Sequence, residues 1–163
     1  SGTKGIHDRA GRLAPVLLID LPLAVVGSSI TVTISGDWRL LPAVLGMNLA
    51  VLLVAAGVSS VFSAMMPYPA TRPGDSPFAQ PAVQGSGAGL AQTLSMLFAL
   101  LFSLPPVVLS VYAIVDPTLG LNLVALGLGV AWGLLILGAG ILIGGKIFDR
   151  GAPELIAVTQ TFD

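Results

Sequence analysis

Polar and apolar positions along this chain fall into long blocks, without the short alternation expected of a soluble fold. Apolar runs cover 16–34, 40–66, 90–115 and 119–145, and Asp20 in the first run is the only charge within them. A helix rising 1.5 Å per residue needs about 20 residues to cross some 30 Å of hydrocarbon. Each run therefore predicts one membrane-spanning helix. The runs of 26 and 27 residues leave room for tilt or helical extension and fix no angle. Only Ser35–Arg39 separates the first two runs, and only Asp116–Thr118 the last two. Connections this short make antiparallel neighbours. The predicted fold is all-α, a polytopic transmembrane helical bundle of four spans in two antiparallel hairpins, forming a single domain over 1–163.

Composition sharpens this picture. Of 163 residues, 55% are hydrophobic and 9% charged, against about 25% charged in ordinary globular chains. The average hides two populations: 99 span residues carry one charge and the other 64 carry 14. There is no cysteine, and His7 is the only histidine. Disulfides, thiolate metal sites, cysteine nucleophiles and histidine clusters are thereby excluded. A net charge of −1 argues against a nucleic-acid binder. No metal or cofactor is expected. The chain opens on Ser1-Gly2 without Met, which reads as a fragment or as a processed or tagged product. A signal peptide is a poor description of the first run, which is too long and lacks a small-residue cleavage site.

Lys and Arg in short loops set orientation. Four spans place both termini and the 67–89 loop on one side. Lys4, Arg9, Arg12, Arg72, Lys146 and Arg150 fall there, and Arg39 alone falls opposite. The expected location is a cell membrane, multi-pass, with both termini cytoplasmic.

Three features inside the spans invite a functional reading. Asp20 lies between Pro15 and Pro22, and an intramembrane carboxylate marks a functional site by default. The plainer reading, favoured here, puts it near the cytoplasmic headgroups, accepting hydrogen bonds freed by Pro22 or pairing with Arg12. Pro105 and Pro106 interrupt the third span; two successive prolines should bend or break a helix. They are a candidate hinge or cavity-lining break, or equally a static kink that shapes packing. The fourth span holds eight glycines. Gly129, Gly133, Gly140 and Gly144 fall within roughly 60° of one another at 100° per residue, and Gly120, Gly127, Gly138 and Gly145 gather opposite. Small residues at this spacing let helices approach closely, so this span is expected to sit between two neighbours. A second neighbour implies further helices, from missing chain or a partner subunit. The stretch Gly140–Ile147 matches a phosphate-loop spacing but lacks its Ser or Thr and sits in an apolar helix, so nucleotide binding is dismissed. Lys146 reads as the anchor ending the span.

The 67–89 loop holds five prolines and four glycines, which rules out a regular helix. Tyr68 and Phe78 suit a membrane interface or a partner's groove, and Arg72 and Asp75 are its only charges. Beyond the last span, Leu155, Ile156 and Val158 suggest either a short interfacial turn or a frayed end.

The segments GIHDRAGRLAP, PYPATRPGDSPF and FDRGAPELIA resemble, in that order, the carboxyl-terminal part of actinobacterial permeases of the type-2 class of ATP-binding cassette (ABC) transporters. The resemblance covers nearly the whole chain. It implies export across the cytoplasmic membrane driven by separate cytoplasmic ATPase subunits, and partnership with other permease helices or a second permease copy. Such half-permeases usually carry six spans, and four are present here. The family assigns no catalytic residue to this part, and none is expected. An intramembrane enzyme would need convergent polar groups, whereas the spans offer one carboxylate, Asn48, Asn122 and hydroxyls such as Ser95, Ser103 and Ser110 with no base to activate them. The alternative function is a non-transporting membrane scaffold or small channel subunit.

Overall fold

A computed structural model describes residues 3–65 and 86–159, with side chains described over 5–65 and 89–150. Four helices follow in order: α1 (Thr3–Ser35), α2 (Leu41–Met65), α3 (Ser86–Val115) and α4 (Leu119–Thr159), with a 3-10 turn at Trp38–Leu40 before α2. All four are long and apolar enough to cross a membrane, over Gly5–Ser35, Trp38–Met65, Gly89–Val115 and Leu119–Arg150. Large apolar side chains such as Leu18, Leu97, Leu101 and Leu135 stand exposed, as a surface facing lipid requires.

Helix ends are set by local chemistry. Gly36 ends α1 at φ +77°, a conformation glycine adopts without steric cost, and its N–H reaches the Val32 carbonyl at 3.0 Å. The Asp37 carboxylate then accepts from the Arg39 N–H at 3.0 Å, capping the 3-10 turn. Pro42 falls in the first turn of α2, where no intrahelical donor is lost. The Thr118 hydroxyl accepts from the Leu121 N–H at 3.4 Å at the start of α4. There Asn122 donates its amide to the Ala113 carbonyl at 3.2 Å and to the Thr118 carbonyl at 2.9 Å, tying the α3–α4 turn together.

Three boundaries differ from expectation. α1 starts at Thr3, well before residue 16, because an apolar run marks where lipid begins and places no limit on the helix; Asp8 and Arg12, one turn apart, pair at 3.0 Å on its polar start. α4 continues past the span's end at Lys146 to Thr159, and Leu155, Ile156 and Val158 continue the helix. Ser86–Gly89, expected in the loop, form the first turn of α3. The rest of that loop, with Tyr68, Arg72, Asp75 and Phe78, lies outside the described residues.

The tightest contact joins one hairpin to the other. α2 and α4 run parallel and meet through glycine. A Cβ at Gly46 would stand 2.6 Å from Leu126 Cα, one at Gly129 2.7 Å from the Gly46 carbonyl, and one at Gly57 2.6 Å from the Ile136 carbonyl. Gly140 backs onto Gly57, Gly133 onto Leu53, and Gly144 onto Ser60. The predicted face Gly129, Gly133, Gly140 and Gly144 is thus the α4 side of this seam. On the opposite face, the second neighbour expected from missing chain or a partner subunit lies outside the described residues. Gly145 meets Ile6 of α1, but Gly120, Gly127 and Gly138 have nothing within 4 Å among the described residues. Spacing tells which residues share a face and is silent on what lies across from it.

Candidate functional site

α1 touches the bundle mainly at its two ends. Near its start, Gly5 abuts Gly145 and Asp149 of α4. Near its finish, Ser28 and Val32 are buried, and Asn48 of α2 donates to the Ser28 hydroxyl at 2.8 Å while that hydroxyl donates to the Ala24 carbonyl at 2.7 Å. Between these contacts no residue from Ala10 to Gly27 is buried. Along the stretch, Leu13, Leu17, Asp20 and Ala24 are half-buried while Leu18, Ile19, Leu21 and Leu23 are exposed. The half-buried set recurs at helical spacing and continues into Ser28 and Val32. Asp20 therefore lies on the inner face of α1, turned away from the lipid side.

The plainer reading of Asp20 meets two difficulties. Arg12 pairs with Asp8 at 3.0 Å. Pro22 frees the Leu18 carbonyl, an acceptor that an ionised carboxylate cannot bond. Among the described residues Asp20 has no hydrogen-bond or ion-pair partner. It lies about 12 Å along the axis beyond Arg12 and about 22 Å from Ser35.

Pro105 and Pro106 do not break α3, which is one helix from Ser86 to Val115. Proline at 106 removes the N–H that would bond the Phe102 carbonyl. The Trp132 indole of α4 supplies the missing donor: its Nε1–H reaches that carbonyl at 2.8 Å. A neighbouring helix thus satisfies the freed group, the condition for proline in a spanning helix. Beside this contact is an open cavity of about 140 Å³ lined by Pro105, Pro106, Leu109, Leu128 and Trp132. Around it Phe98 stacks on Phe102, with centroids 6.3 Å apart, and meets Phe62 of α2 at 5.9 Å.

These groups do not converge on one reacting centre. Asp20 lies on α1, the proline pair and Trp132 join α3 to α4, and the glycine seam joins α2 to α4. Among the described residues no three His, Cys, Asp or Glu side chains come together as a metal site would need. Gly140, Gly144 and Gly145 lie within continuous α4, where their backbone N–H groups are committed to the helix and cannot cradle a phosphate. Sequence reasoning missed Trp132, Ser28 and Arg9. Position 132, 26 residues after Pro106, carried no local signal, and Arg9 read only as a topology charge.

Compared with known proteins, the chain matches no family model, no curated protein and no solved structure.

Proposed function

We propose that this chain is a transmembrane permease segment of an ATP-driven exporter in a cell membrane. Separate cytoplasmic ATPase subunits hydrolyse the ATP, and further permease helices or a second permease copy complete the path. Both ends of the chain lie on the cytoplasmic side, where Arg9, Arg12, Lys146 and Arg150 gather at one end of the bundle, with Arg39 at the other. The observation that carries the reading is the proline pair in spanning helix α3, where the Phe102 carbonyl freed by Pro106 is held by a single side chain of α4. A helix fastened across a missing backbone bond by one indole can bend there at low cost. The inward-facing, unpartnered Asp20 and the resemblance of three segments to type-2 ABC permeases support the same reading. A non-transporting scaffold or small channel subunit is the second reading, favoured by the backbone-to-backbone α2–α4 seam, which suits a rigid element. Proteoliposomes holding the chain with its copurifying ATPase decide between them. ATP-dependent flux, with a hydrolysis rate that changes when the permease is present, supports the exporter; flux without ATP, or no ATPase association, overturns it.

A further inference from the structure

Among the described residues, the one cation that α1 carries into the bundle is Arg9, which is 8% exposed. Its Nη1 donates to the Ser60 carbonyl at 2.9 Å and to the Ser63 hydroxyl, both on α2. The guanidinium lies over the Phe148 ring of α4, 5.5 Å from its centroid. Three helices therefore meet at this side chain, and glycine lets them do so: Gly5 and Gly145 bring α1 against α4, and Gly144 brings α4 against Ser60.

Every one of these partners is neutral. Asp8 is engaged with Arg12 at 3.0 Å, and Asp149 lies against the Gly5 backbone without reaching ion-pair distance of Arg9. Among the described residues no carboxylate lies at ion-pair distance of Arg9, and Asp8 offsets its charge only through space. A buried cation without a counter-charge is strongly disfavoured. The hydrogen bonds have a matching gap. Nε of Arg9 and the Ser60 hydroxyl are both buried and have no partner. With Nη1 spent on α2, the edge left over is the one formed by Nε and Nη2, whose two parallel N–H groups grip a pair of oxygens on a phosphate or carboxylate.

Position selects the anion. Ser60 and Ser63 lie in the last turns of α2 before Met65, at the depth where a span leaves hydrocarbon. Exposed Arg12, Lys146 and Arg150 surround the same end. Basic pockets between spanning helices at the membrane edge suit lipid headgroups. Phe148, which covers the guanidinium, is itself exposed toward the surrounding lipid. We propose that Arg9, held by Ser60 and Ser63 between α1, α2 and α4, binds the phosphate of an anionic phospholipid.

The test uses the full chain purified in detergent and stripped of lipid. Phosphatidylglycerol, phosphatidylcholine and inorganic phosphate are added separately, with retention read by native mass spectrometry and Tm by thermal unfolding. The wild type should retain phosphatidylglycerol over phosphatidylcholine and gain Tm from it, with no gain from inorganic phosphate. Arg9→Gln should lower that retention about tenfold, the worth of one charge-assisted pair. Arg12→Gln, which removes a cation from the same end but outside the pocket, should keep the preference. Equal loss in both variants, or undiminished retention in Arg9→Gln, overturns the site. A Tm gain from inorganic phosphate alone overturns the lipid source. Should Arg9→Gln fail to fold, the wild type still decides: equal retention of the two lipids overturns the proposal. Arg9→Lys, which keeps the charge without the two-pronged edge, should hold phosphatidylglycerol several-fold less well.

Discussion

Replacing Gly140 with Ala adds one methyl group to the most crowded point of the α2–α4 seam. On Gly57, its counterpart, the new Cβ would stand 2.6 Å from the Ile136 carbonyl and 2.9 Å from Leu137 Cα, where ordinary contact is about 3.5 Å. The Cβ of Gly140→Ala points at the Gly57 backbone at least as closely. All the atoms in the way belong to backbone, so no side chain can turn aside, and the helices must separate by most of an ångström. A gap of that size forfeits about a quarter to a half of each lost dispersion contact along the seam, and overpacking of this kind costs about 1–3 kcal/mol. Gly127→Ala is the control. Its Cβ meets nothing within 4 Å among the described residues, so it gains roughly 0.5–1 kcal/mol of helix propensity without a clash. Both substitutions gain that propensity, so the two alanines should differ by the clash alone, about 1–3 kcal/mol. The double variant Gly57→Ala with Gly140→Ala should cost less than the sum of the singles, because one separation relieves both clashes. Reversible unfolding in mixed micelles, followed by far-UV circular dichroism, measures all four variants. Equal stability of Gly140→Ala and Gly127→Ala would refute the close-packed seam.

Other consequences can be checked alongside. Trp132→Phe keeps the ring but removes the donor to the Phe102 carbonyl, and should cost about 1 kcal/mol; in a Pro106→Ala background, where the backbone N–H is restored, the same change should cost measurably less in a double-mutant cycle. Asp20→Asn and Asp20→Leu should both lower ATP-driven flux in proteoliposomes, and unchanged flux in both would end the functional case for this carboxylate. Ser28→Ala leaves the Asn48 amide without its partner on α1 and should destabilise the chain by roughly 0.5–1.5 kcal/mol, read as a lower unfolding midpoint, whereas Ser29→Ala, whose hydroxyl bonds only its own helix at Val25, should change little.

Much of this architecture was legible before any coordinates. Block hydropathy locates four helices because lipid tolerates few charges within a span. Helical spacing sorts the α4 glycines correctly, and four of them are the seam. What lies opposite a face escapes such reasoning: Gly120, Gly127 and Gly138 share a side, and nothing among the described residues comes within 4 Å of a Cβ there. The apolar run does not mark the start of α1, because Asp8, Arg9 and Arg12 set an edge of apolarity while the hydrogen-bonded helix runs through them. The proline pair suggests a break, yet α3 runs on, with an indole on another helix bonding the carbonyl that Pro106 frees. Arg9 looks like any other loop cation until packing puts it between three helices. In each case the deciding partner is remote in sequence.

The parallel seam between α2 and α4 also has a bearing on how the chain is assembled. Gly57 finds Gly140 only after 83 more residues have been made. At ordinary rates of synthesis that is an interval on the order of ten seconds. Throughout it, α1 and α2 wait in the membrane with the α2 glycine groove open. The first hairpin is thus an unfinished surface for which the last helix is the closing piece. Competition for that groove, from lipid or from another nascent chain, falls in the interval before α4 arrives.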